Sequence, residues 1–249
     1  MAIFLLHEEL KKVVDIAKED MIGMIRIAWW RENLEDIFLH NKNKDHYLLR
    51  AISVFKSEVD FTKLELAFEG FNLDFSENKS FSNKEELYNY VVKTYGSFFE
   101  IIFDILQIKE AKIARNLALI SFYFDLLKKI KKEDEKVVRF FYPNFFSELK
   151  IDAQFWQKNN SEKNYDKNLS EIVKYIVQEI EVLAQEIKIF EKELGKRERI
   201  IMMQKELILL IIQNLKKNNF DIFSVDLGAK KLLMKLKFLL CCFVFLSRS

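Results

Sequence analysis

Few residue types in this chain stand at spacings that suit chemistry, and those that do are charged side chains four residues apart. Lys11 and Asp15 form one pair; Asp125, Lys129 and Glu133 form a run of two more. Positions four apart share a helix face, so these groups can meet as ion pairs worth about 0.2–0.5 kcal/mol each on an exposed surface. His7, His40 and His46 show no ligand pairing at helical spacing, which places them at surfaces or helix ends rather than around a metal. Arg26 and Arg31 carry the charge to hold a phosphate or to pair with Glu32, Glu35 or Asp36, and pairing is the simpler role. Trp29 and Trp30 suit the lining of an apolar pocket or, more simply, core packing. No nucleophile triad, Gly-rich phosphate loop or Cys/His cluster is visible.

The elements that position these residues must be helical. Half of the 249 residues are hydrophobic, enough for one large domain to bury a core. Only 5 Gly and 1 Pro are present, too few for the tight turns of a sheet protein this long. The 24 Phe imply a core packed with aromatic rings. Net charge is +2 with both signs spread along the chain, which argues against nucleic acid as a partner. Cys241 and Cys242 are adjacent in an apolar tail and read as reduced thiols of an intracellular, cytoplasmic protein.

Apolar spacing is helical almost throughout. Leu169, Ile172, Ile176, Ile180, Leu183, Ile187 and Phe190 step by threes and fours into one buried stripe, with Glu171, Lys174, Glu179, Glu181, Glu186 and Lys188 mostly toward solvent. Ser82-Asn83-Lys84-Glu85 has the form of a capping box, opening a helix that carries Leu87, Tyr90, Val91, Thr94, Phe98, Ile101 and Ile105 inward. Further helices are expected over 2–17, 19–39, 45–57, 60–71, 110–131, 146–157, 198–217 and 227–246. Loops fall at Asn41 to Lys44, Ser76 to Asn83 and Gln157 to Asn168, and none resembles a domain linker, so a single domain over 1–249 is expected. The N-terminal apolar stretch is too short for a secretory signal and lacks transit-peptide character. The run Phe238 to Leu246 falls short of the roughly 20 apolar residues of a spanning helix. With Lys230, Lys231, Lys235 and Lys237 it suits either closure of the bundle or, at most, peripheral contact with anionic lipid.

Gly23, Arg26, Trp29, Trp30, Arg31 and Asp36 follow one another as in the squalene/phytoene synthase family, which this chain resembles. Leu87-Tyr88-Asn89-Tyr90 followed by Gly96-Ser97 resembles the family's Tyr, then Gly, helix. Lys128 to Pro143, ending Phe141-Tyr142-Pro143, resembles its aromatic-Leu-Pro turn. Phe220-Asp221-Ile222-Phe223 resembles a short motif of the branch that contains a mitochondrial complex I assembly factor. The resemblance is colinear and implies an all-α helical bundle of the isoprenoid synthase type, whose active members join two prenyl diphosphates head to head. The chain begins inside what resembles the family's first helix, which implies a shortened start.

Active relatives ionise an allylic diphosphate with Mg²⁺, held by aspartates at four-residue spacing on facing helices. The resemblance sets the first acidic motif on Lys11, Lys12 and Asp15, and the second on Asp125, Lys129 and Glu133. Lysine cannot ligate Mg²⁺ and repels it. Asp15, Asp125 and Glu133 are therefore either remnants engaged in helix-surface pairs or, with Asp104 or Asp134, a surviving metal site. The first reading is favoured, because a metal site needs converging carboxylates without intervening cations. What the resemblance implies is thus a non-catalytic protein without metal or cofactor, an assembly or accessory factor for a respiratory complex, peripheral at most to the inner membrane. The alternatives are an Mg²⁺-dependent prenyltransferase or a prenyl-lipid binding protein.

Overall fold

A computed structural model describes residues 2–76, 80–151, 167–190 and 199–227. Among them every regular element is helical: α1 (Ala2–Ile16), α2 (Asp20–Phe38), α3 (Tyr47–Ser53), α4 (Phe61–Asn72), α5 (Lys84–Val91), α6 (Ser97–Ile105), α7 (Ala111–Lys131), α8 (Pro143–Glu148), α9 (Lys167–Phe190) and α10 (Arg199–Lys217). A π turn, Val92–Gly96, joins α5 to α6, and short 3₁₀ turns cover Lys56–Glu58, Leu73–Phe75 and Glu135–Phe140. The expected helix over 227–246, with Cys241, Cys242 and the lysines from Lys230 onward, lies outside the described residues, as do 77–79, 152–166 and 191–198. No helix among the described residues is long and apolar enough to cross a membrane. The chain divides into two compact units, Met1–Lys79 with Tyr88–Ala118, and Ser80–Leu87 with Leu119–Ser249.

In the first unit α4 packs against α1, α2, α6 and the π turn. Leu64, Ala67, Phe68 and Phe71 recur at the spacing of a helix face, and all four are buried. Asp60 caps this helix by accepting from the Thr62 N–H at 3.0 Å. Gly70 allows the close approach to the π turn: a Cβ there would lie 2.7 Å from Thr94 Cγ2 and 2.9 Å from Lys93 Cβ. Sequence periodicity predicts an unbroken helix from Ser82 to Ile105, whereas the structure widens it by one π turn. Thr94 Oγ1 donates to the Tyr90 carbonyl at 2.7 Å, a back-bond that loosens the regular ladder. The turn lets Thr94 to Phe99 run buried as six consecutive residues, which a regular surface helix would not allow.

The second unit contains the C-terminal part of α7, the turn Glu135–Phe140, α8, α9 and α10. The aromatic core foreseen from composition is present: Phe141 and Phe145 stack at 4.7 Å, Phe145 meets Tyr175 edge-on at 5.2 Å, and Phe122 meets Phe140 at 5.3 Å. On α9 the stripe is Ile172, Val173, Ile176, Val177, Ile180, Ala184 and Ile187, while Leu169, Leu183 and Phe190 are half-buried.

Several boundaries differ from expectation. The capping box is displaced by one residue: Asn83 Oδ1 accepts from the Glu86 N–H at 2.9 Å, and Glu86 reaches back to the Ser82 N–H at 2.8 Å. The helix expected over 45–57 stops at Ser53 and resumes as a 3₁₀ turn. The helix expected from 146 starts instead at Pro143, whose fixed φ and missing N–H suit a first turn, and it ends before Lys150 at φ 56°.

Candidate functional site

The two motif segments fall in different units. Asp15 occupies the last turn of α1 and is exposed, while Lys11 reaches back to Glu8 at 3.2 Å and lies over the Tyr95 ring. Lys12 pairs with Glu9 at 2.5 Å, and that hydrogen bond raises its pKa. Asp125 lies on α7, half-buried, with the Lys128 ammonium 2.8 Å away, and Lys129 reaches Asp134 at 3.4 Å. Glu133 is not on the helix. It takes the left-handed conformation, φ 55°, in the turn that ends α7, where the Asp134 N–H bonds the Lys129 carbonyl at 3.1 Å. It therefore cannot share a helix face with Asp125 and Lys129 as its spacing suggests. Asp134 caps the following 3₁₀ turn, and Asp104 holds Lys63 at 2.5 Å. Among the described residues no three His, Cys, Asp or Glu side chains form a group with metal-ligand geometry.

Histidines and arginines also find other places. His7, expected at a surface, is buried among Phe71, Tyr95 and Phe98, with ring centroids 6.0, 4.7 and 4.7 Å away. It lies on the buried stripe of Ile3, Leu6, Leu10 and Val13, so helical position decides its burial over its polarity. His40 is exposed, and His46 precedes α3 against Trp29, Trp30 and Tyr47. Trp30 is core, whereas Trp29 is exposed. Arg31 crosses to Glu65 of α4 at 3.3 Å rather than pairing on its own helix. Asp36 is held by Lys44 at 2.5 Å and Lys42 at 2.9 Å, hydrogen bonds that lower its pKa to about 2.

Three polar clusters were not read from sequence. In the first unit the Tyr90 hydroxyl donates to both oxygens of buried Asp74, at 2.9 and 3.2 Å. In the second, Glu179 is half-buried: Tyr123 donates to it at 3.4 Å and Lys84 at 3.2 Å, and Lys84 also reaches the Tyr175 hydroxyl at 3.3 Å. Burial, and then the Glu179 charge, raise the pKa of Tyr123 and carry that of Tyr175 to about 12. Tyr142, raised first by burial, donates to Glu148 at 3.1 Å. Lys205 is buried on the core stripe of α10 with Ile201, Ile208 and Ile212, and pairs with Glu206 at 3.0 Å. The spacing of Lys205 gives that signal in advance; the tyrosine–carboxylate contacts are distant in sequence and give none.

The family motifs occupy their expected order on these helices. Gly23 lies under the Phe75 ring with no room for a Cβ, Tyr142-Pro143 opens α8, and Asp221 caps the turn after α10 by accepting from the Phe223 N–H at 2.9 Å. The description squalene/phytoene synthase matches residues 1–234 as a single family model. The chain belongs to the squalene/phytoene synthase family. Among curated relatives of this family member, the NADH dehydrogenase (ubiquinone) complex I, assembly factor 6 of Mus musculus is 21% identical over 234 residues, which cover 92% of this chain and 68% of the mouse protein. The resemblance read from the motifs, and the all-α fold it implies, are thereby borne out.

Proposed function

We propose that this squalene/phytoene synthase relative works without Mg²⁺ or diphosphate chemistry, as an accessory factor in the assembly of a respiratory NADH dehydrogenase. One observation carries the reading: at the positions where the family resemblance sets the acidic motifs stand Lys11, Lys12 and Lys129, and the acid of the second helix, Asp125, is held by Lys128 at 2.8 Å. Ammonium groups stand where Mg²⁺ ligands would have to be carboxylates, so the side chains of each motif do not fit Mg²⁺. The similarity to a protein named as a complex I assembly factor supports the partner class. In this reading the protein acts in the cytoplasm, with peripheral contact at the inner membrane where its partner is assembled.

The test is genetic and biochemical. Cells lacking the protein should accumulate less assembled NADH dehydrogenase on native gels, and a Lys11→Ala, Lys12→Ala, Lys129→Ala variant should restore it. Normal enzyme levels without the protein, together with altered prenyl products, contradict the proposal.

A further inference from the structure

We draw no further inference here: the strongest candidate, the exposed apolar side of α2 formed by Met21, Met24, Ile25 and Trp29, has the exposed Arg26 in its midst, and nothing among the described residues shows what covers it.

Discussion

Gly70→Ala should destabilise the first unit even though alanine is the better helix former. Alanine within a helix gains about 0.8–1.0 kcal/mol over glycine. At Gly70 the new methyl meets Thr94 Cγ2 at 2.7 Å, Lys93 Cβ at 2.9 Å and the Thr94 backbone nitrogen at 3.2 Å. Thr94 is fully buried, with its hydroxyl fixed to the Tyr90 carbonyl, so it cannot swing aside without breaking that bond. Overpacking of this kind costs about 1–3 kcal/mol, which leaves a net loss of up to about 2 kcal/mol once the propensity gain is set against it. Gly96→Ala is the control: its Cβ meets nothing nearer than Val92 Cγ1 at 3.5 Å, so the change should be neutral or stabilising by up to about 1 kcal/mol. Thr94→Ser removes the clashing methyl and keeps the hydroxyl, so Gly70→Ala should cost at least about 0.5 kcal/mol less on that background. Urea unfolding followed by circular dichroism reads the wild type and all four variants. Equal cost in both backgrounds, or a Gly70→Ala protein more stable than wild type, would refute the claim that α4 depends on this contact.

Other predictions concern the polar clusters. Asp74→Asn keeps the shape but replaces the carboxylate that accepts the bifurcated hydrogen bond of the Tyr90 hydroxyl, and should cost about 1–3 kcal/mol in urea unfolding. Tyr175 titrates near 12 when folded against about 10 when unfolded, so its contribution to stability is complete below pH ~10 and lost as pH rises through 12. Tyrosinate absorbance should therefore rise late and together with loss of helix; full ionisation near pH 10 in a still-folded protein would contradict the burial of this cluster. Asp36 titrates near 2 against about 3.9 unfolded, so its contribution is present above pH ~4 and lost as pH falls through 2. NMR titration of its carboxyl carbon should show this low value rising in high salt, since Lys42 is exposed.

Helix existence was legible because the apolar residues keep a 3.6-residue rhythm; helix interruptions were not. Nothing in the spacing of Tyr90, Thr94 and Phe98 announces a π turn, which depends on Gly70 of another helix fitting against it. Residue polarity misled at His7, drawn inward by its position on the helix and by aromatic partners far along the chain. The lysines at the motif positions were readable directly, since a substitution of charge is local information. The contact of Lys129 with Asp134 was not: α7 ends in a left-handed turn at Glu133, a conformation its sequence, lacking glycine there, does not advertise.

The account turns on the loss of metal-dependent diphosphate binding. Calorimetric titration of the purified protein with a non-hydrolysable farnesyl diphosphate analogue, with and without Mg²⁺, tests that claim most directly. The account predicts no Mg²⁺-dependent binding; tight binding that appears only when Mg²⁺ is added would contradict it.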